Sequence, residues 1–521
     1  MTRTLGPARA DRFAALLPTP RSVTPAEGEF VVGYRARIAG GGDAARVLAD
    51  HLRRAGGVRI VDDPDAPAIT FHDAELAPEG YRLRVRDGGV DVWAADPRGA
   101  HWAVQTLLQL LPDEVFGPGP MEPESLRAPA CDVEDAPAMG WRGSHVDVAR
   151  HFLPIADLHR HLAVMAMHKL NVLHLHLTDD QGWRVPIARY PRLTEVGAWR
   201  PGTVPGHQPP PDEDDCDDVD FHDEVPHGGH YTVEELRGLV EHAGRLGIDV
   251  VPEIDMPGHM EAAIAAYPEL GCTEVQHPRT CFGISEHVLA LTEETLDFCR
   301  AVLDEVMAIF PRVPIHVGGD ECPSREWFAD ERTLATMREH GLTTGAEAQA
   351  WFEDAICRHV LERGRRVIAW DEVLEGGVPE EVIVMAWREH EVIGRAARAG
   401  HDVIAAPGAC TYFDHAQYDE GEPLAIGTGL TLERVAGFSD VLGALAPSER
   451  ERVLGGQFQL WSEYVHSWAR AEHLLWPRGC SMAQQCWAGT AEGAHTVDEL
   501  EAHLRRLTAR GVRWCRPRGE A

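Results

Sequence analysis

The sequence predicts an α/β protein in which a (β/α)8 TIM barrel follows a smaller α+β module. Two observations carry this. From about residue 140 onward, short apolar runs alternate with amphipathic stretches at helical spacing, the pattern of a parallel sheet wrapped by helices. Before that point the pattern is of short alternating strands with a single helix, a separate unit over residues 1–135. At 521 residues the chain exceeds one comfortable core, and the barrel is assigned residues 136–521.

Within the first unit, Tyr81-Arg82-Leu83-Arg84-Val85 and Val90-Asp91-Val92-Trp93 alternate at period two around Asp87-Gly88-Gly89, a hairpin signal. Residues 99–111 repeat their apolar positions at helical spacing, and the Pro- and acid-rich residues 118–137 read as a linker. Eight barrel strands are expected to start near Ser144, Val172, Asp249, Pro314, Arg366, Val382, Asp402 and Leu454. Helices are expected between most of them, for example over residues 232–246 and 286–310.

Composition narrows the partners. A hydrophobic fraction of 44% and a charged fraction of 25% are those of a soluble globular protein. A formal net charge of -34 argues against nucleic acid or an anionic membrane and favours a neutral substrate. Much of the excess lies in residues 211–220, read as a solvated surface loop rather than a calcium site, because its acids lack a Gly-spaced ligand pattern. The 11 cysteines are scattered, form no Cys-x-x-Cys pair and fit a reducing compartment, although Cys272 and Cys281 are close enough in sequence to bridge a loop. Residues 1–21 hold no apolar signal region and no run is long enough to span a bilayer, so the expected location is cytoplasmic.

A barrel of this kind keeps its active site at the carboxyl ends of its strands. The residues closing the eight runs are suited to that. They include Asp147-Val148-Ala149-Arg150-His151-Phe152, Thr178-Asp179-Asp180-Gln181-Gly182-Trp183-Arg184, Glu253-Ile254-Asp255-Met256-Pro257-Gly258-His259 and Asp320-Glu321. The later runs end in Trp370-Asp371-Glu372, Trp387-Arg388, Tyr412-Phe413-Asp414 and Trp461-Ser462-Glu463. Carboxylates bind hydroxyls and flat aromatics cover apolar sugar faces, so the mixture points to a carbohydrate. The focal pair is Asp320 and Glu321, which approach one substrate together only if Gly318 and Gly319 turn the backbone. Repulsion and unequal burial then hold one protonated acid beside one charged partner, the requirement of glycoside hydrolysis.

With these motifs the chain resembles the family 20 glycoside hydrolases, the β-N-acetylhexosaminidases. The likeness rests on Trp141-Arg142-Gly143, Asp147 to Phe152, the run from His174 to Arg184, the run from Val251 to His259, His316 to Glu321 and Trp461-Ser462-Glu463. It implies substrate-assisted retaining hydrolysis, in which the substrate's 2-acetamido oxygen attacks the anomeric carbon to give an oxazoline-like intermediate. By the same resemblance Glu321 is the general acid and base, Asp320 orients the acetamido group and Tyr412 donates to its oxygen. Arg142, Asp414 and Glu463 are then expected on the sugar hydroxyls, Trp351, Trp370 and Trp461 as aromatic walls, and Asp179 and His259 as supports of the acid, with Asp255 holding the His259 ring. Residues 424–430 lack the aromatic platform that some relatives offer to the leaving sugar.

The resemblance thus implies an exo-acting enzyme on terminal GlcNAc or GalNAc of an oligosaccharide or glycoconjugate, with no metal or organic cofactor. The rival readings are a catalytically silent N-acetyl-sugar-binding barrel, a narrower relative such as a lacto-N-biosidase or a sulfated-GlcNAc hydrolase, and a metal-dependent barrel hydrolase. His174 and His176 read as buried barrel histidines, and Trp183 and Trp387 as core.

Overall fold

The computed structural model of the protein describes residues 12–206, 216, 222–418, 421–427 and 429–516. The acidic run 211–220 therefore lies outside the described residues except for Cys216. The N-terminal part is a seven-stranded sheet built from β1 (Ser22–Val31), β2 (Arg35–Ala39), β3 (Arg59–Ile60), β4 (Ala68–Asp73), β5 (Tyr81–Arg86), β6 (Gly89–Ala94) and β7 (Arg127–Asp135), in the order β1-β7-β5-β6-β4-β2-β3. The expected hairpin is β5–β6, paired from Tyr81 with Ala94 to Arg86 with Gly89. Two helices, α1 (Gly42–Gly56) and α2 (Pro97–Leu110), pack on the sheet, and α2 begins where Asp96 accepts the Gly99 N–H at 2.9 Å. The expected linker is only partly one. Residues 127–135 form β7, which bonds to both β1 and β5 because its alternating apolar residues complete that sheet.

The barrel closes on eight parallel strands: Trp141–Asp147, Val172–His176, Asp249–Glu253, Ile315–His316, Val367–Trp370, Ile383–Ala386, Val403–Ala405 and Val453–Phe458. Strands buried on both faces need little alternation, and all five residues of Val172–His176 are buried. The period of two nonetheless separates Leu173 and Leu175 from His174 and His176, which ring Glu253 on the neighbouring strand. Helix Val233–Arg245 starts one residue after its N-cap Thr232, which forms a capping box with Glu235. Helix Glu293–Ile309 starts seven residues later than its pattern suggests. The skipped stretch makes non-helical bonds instead, His287 to Glu326 and the Leu289 N–H to Pro257 O.

The two parts share a polar junction. Lys169 Nζ donates to Asp135 and to Tyr81 Oη, both at 2.9 Å, and Arg98 reaches Asp249 on the third barrel strand. Cys281 is bonded to Cys216, not to Cys272, which is free. No helix among the described residues is long and apolar enough to cross a membrane.

Candidate active site

The fourth barrel strand ends in the turn that carries the carboxylate pair. Gly318, Gly319 and Glu321 all have positive φ, at 70°, 99° and 48°. A side chain at Gly318 is impossible, since its Cβ would lie 1.7 Å from Asp255 Oδ1. That same oxygen accepts the Gly319 N–H at 2.9 Å and pins the turn. As a result Asp320 and Glu321 both line one cavity of about 450 Å³ despite being neighbours in the chain. Their surroundings differ: the Asp320 side chain is 12% exposed and that of Glu321 is 35% exposed.

Opposite the pair, Arg150, Trp387, Tyr412, Asp414, Trp461 and Glu463 line the same cavity. Trp387 is nearly parallel to Tyr412, with ring centroids 6.0 Å apart and planes at 23°, and Tyr412 meets Trp461 at 6.2 Å. The Arg150 guanidinium lies 5.0 Å above the Trp461 ring and 2.8 Å from Asp179 Oδ2. Asp320 Oδ1, Asp414 Oδ1 and Glu463 Oε2 are buried without a hydrogen-bond partner. Such acceptors are costly unless a ligand supplies donors, and N–H and O–H groups of a bound sugar are donors of the right kind.

Behind the pair stands His259, its Nε2 3.9 Å from Asp320 and 3.8 Å from Glu321 and its Nδ1 3.3 Å from both Asp179 and Asp180. Burial lowers the basicity of this imidazole, but the nearby Asp179 charge outweighs that and holds it well above the ordinary value. Burial, and then the neighbouring Asp255 charge, push the Asp320 carboxyl well above the usual range, while burial takes Asp255 up to about 7. Glu353 and Glu372 are likewise raised to about 8, chiefly by burial. Burial thus opposes ionisation of Asp320, Asp255, Glu353 and Glu372, and a bound group carrying an N–H donor and positive charge favours the charged form of Asp320.

Beneath it, Glu253 accepts from Trp370 Nε1 at 2.8 Å and from His176 Nδ1 at 2.7 Å, and His176 Nε2 meets Asp179 at 2.8 Å. His174 and His316 also lie 3.1 Å from Glu253, so the fold supplies grouped ligands that the sequence pattern did not suggest. The donors already present fit hydrogen bonding better than a metal. Gln457 Nε2 donates to His174 Nδ1, leaving the proton on the nitrogen that faces Glu253.

Residues 139–490 match the family model for the glycosyl hydrolase family 20 catalytic domain, and residues 14–136 match that for domain 2 of the same family. The chain belongs to glycosyl hydrolase family 20. Among its relatives, a beta-hexosaminidase of Porphyromonas gingivalis is 36% identical over 497 residues, covering 92% of this chain and 61% of that protein. One from Vibrio furnissii is 32% identical, covering 92% and 77%. A Vibrio harveyi GH20 exo beta-N-acetylglucosaminidase in complex with N-acetylglucosamine has a TM-score of 0.84 at 28% identity, covering 100% of this chain and 80% of that one. The GH20 beta-N-acetylhexosaminidase of Streptomyces coelicolor has a TM-score of 0.82 at 28% identity, covering 97% and 98%.

In this family 20 chain the fold gathers Asp320, Glu321, Tyr412, Asp414, Trp461 and Glu463 around the cavity, with Asp179, His259 and Trp370 one layer behind. Asp255 holds the Gly319 N–H rather than the His259 ring. Two expected residues are elsewhere. Arg142 opens the first strand, at the end of the barrel remote from the cavity, where it donates to Lys169 O and Met139 O and pairs with Glu79. Trp351 sits on helix Gly345–Glu362 between Gln349 and Glu353, which face Gly319, so its ring points away and packs 5.0 Å from His340.

Arg150 and Trp387 line the family 20 cavity in their place. The signal for Arg150 was its position three residues past Asp147, at the carboxyl end of the first strand. Trp387, core-like in sequence, instead lines the cavity, and its neighbour Arg388, bonded to Asp371, marks the end of the sixth strand at the same face. Trp183 is core, as expected, donating to Val185 O.

Proposed function

We propose that this chain is an exo-acting β-N-acetylhexosaminidase, removing terminal β-linked GlcNAc or GalNAc from oligosaccharides or glycoconjugates with retention. The observation that carries the reading is the placing of the buried Asp320 beside the more exposed Glu321 on the same cavity wall. Neighbours on one wall cannot flank a glycosidic bond as acid and nucleophile, but they suit an acid beside a group that steers the substrate's own nucleophile.

In the first step the acetamido oxygen bonds to C1 as the bond from C1 to the leaving oxygen breaks, and Glu321 gives that oxygen its proton. Asp320 accepts the acetamido N–H and offsets the positive charge on the forming ring. Tyr412 donates to the acetamido oxygen. Water then opens the oxazoline at C1 as Glu321 takes its proton. We assign Arg150, with Asp414 and Glu463, to the sugar hydroxyls, and Trp387, Trp461 and Trp370 to the walls. His259 and Asp179 hold the acid pair. No step needs a metal or organic cofactor.

We divide the chain at residue 135/136, where β7 ends, into a non-catalytic module and the catalytic barrel. A cytoplasmic location stands against the Cys216–Cys281 bond, since disulfides persist in oxidising compartments. Cell fractionation decides between them. The function itself is tested by proton NMR of a fresh hydrolysate of an aryl N-acetyl-β-glucosaminide. Retention predicts that β-GlcNAc appears first and mutarotates afterwards; α-GlcNAc appearing first would sink the mechanism.

A further inference from the structure

A cleft near the domain junction is separate from the hydrolytic cavity. It has a volume of about 980 Å³, and its N-terminal wall is formed at the carboxyl ends of three parallel strands, β2, β4 and β6. Ligands of open α/β sheets bind in the crevice outside such strand ends. The turn leaving β2 is Gly40-Gly41-Gly42, with φ of 77°, 78° and 52°, and it runs straight into the 15-residue helix α1. A strand, a glycine turn and a helix N-terminus make a seat for an anion, because the first-turn N–H groups have no partner within the helix.

Three details distinguish this helix start from an ordinary one. Its N-cap is Gly41, which has no side chain to satisfy those N–H groups, whereas α2, opening on the same cleft, is capped by Asp96. Gly40 and Gly41 are explained by packing, since a Cβ on either would press on Phe71; a Cβ on Gly42 would meet nothing within 4 Å, so the cleft is open there. His101, a lining residue only 2% exposed, has its Nε2 buried with no hydrogen-bond partner. Burial holds this ring down to about 4, with Asp43 as the opposing charge, so at neutral pH it is an uncharged imidazole beside the start of α1.

Four aspartates line the cleft, Asp43, Asp73, Asp96 and Asp249, and three of them are engaged. Asp43 pairs with Arg46, Asp249 with Arg98 at 2.5 Å, and Asp96 with the Gly99 N–H. Arg98, paired with Asp249, and Arg245, 46% exposed and paired with Glu241, line the wall supplied by α2 and the barrel.

We propose that this cleft binds a phosphate monoester, its phosphoryl group seated on the first turn of α1 at Gly42 with the His101 imidazole as the side-chain donor. The remaining volume takes the organic part, a sugar or a nucleoside. Neither the substrate nor the chemistry of the hydrolytic site enters the argument, so the proposal stands apart from the hexosaminidase reading.

The test is calorimetric titration of the full chain with inorganic phosphate, ribose, ribose 5-phosphate and AMP. The wild type should bind ribose 5-phosphate or AMP, and phosphate more weakly, but not ribose. Preference between the two esters tells a sugar phosphate from a nucleotide. Gly42→Asp adds a carboxylate where there is room and where φ suits Asp. It should weaken ester binding at least about tenfold, the size expected of one charge at a helix N-terminus, with hydrolysis of an aryl substrate unchanged. His101→Gln, which keeps an N–H donor, should retain binding that His101→Leu loses. Wild type that ignores every phosphate, binds ribose equally well, or matches Gly42→Asp in affinity would overturn the proposal.

Discussion

Arg150 and Asp179 form a buried ion pair, 2.8 Å between Nη2 and Oδ2, that ties one wall of the cavity to the layer behind Asp320 and Glu321. Burial opposes charge on both, yet the pairing keeps Asp179 well below the usual carboxylate range and Arg150 well above its ordinary value. Asp179 in turn holds His259, so one salt bridge couples substrate contact to acid placement.

Arg150→Ala should therefore lower kcat/KM by at least about thirtyfold, through a lost hydroxyl contact and an uncompensated Asp179. Arg142→Met is the contrasting change. It leaves the cavity intact and strips a partner from Glu79, so thermal or denaturant unfolding should show a loss of about 3–5 kcal/mol with KM unchanged in the folded fraction. A reversed pattern would return Arg142 to the sugar.

Glu321→Gln should cost about 10²–10⁴-fold on an alkyl glycoside or oligosaccharide and far less on a nitrophenyl glycoside, whose leaving group needs no proton. Rates measured on both substrates decide it, and equal losses would remove the acid role.

Asp320→Asn should impair the nitrophenyl substrate as well, by about 10²–10³-fold, because the acetamido group loses its orienting partner. An unchanged rate on that substrate would end the assignment.

Trp387→Ala should reduce kcat/KM by about thirtyfold through loss of an aromatic wall, while Trp351→Ala stays within about twofold. Steady-state kinetics on the two variants separates the cavity tryptophan from the one on the outer helix.

Stability should fall as pH rises from 7.5 to 8.5. Glu353 and Glu372 have folded-state values of about 8, far above those of free carboxylates. A carboxyl raised in the folded state contributes stability at low pH that is lost as pH rises through the folded value. From pH 7.5 upward unfolded histidines are almost all neutral, so the buried imidazoles oppose the trend only weakly. Unfolding temperatures at pH 7.5 and 8.5 check it, and Glu353→Gln should flatten the slope.

The barrel was legible because buried strands and amphipathic helices differ in period, and each strand start falls within three residues of its expected position. What the pattern hid was direction. Arg142 and Arg150 flank one strand, and only the rule that catalytic residues leave its carboxyl end separates them. Trp351 and Trp387 are equally aromatic in sequence, and the helical twist between Gln349 and Glu353 turns one of them outward. Contacts across the barrel, such as four histidines from three strands around Glu253, and the bond from Cys281 to Cys216 join residues far apart in the chain that no local pattern pairs.

The central claim is that the substrate's own acetamido group is the nucleophile, steered by Asp320. Its most direct test is the hydrolysis rate of nitrophenyl N-acetyl-β-glucosaminide beside the matched nitrophenyl β-glucoside. Rapid cleavage of the first with none of the second is the predicted result; comparable cleavage of both would mean that a carboxylate of the enzyme attacks the sugar, and would contradict it.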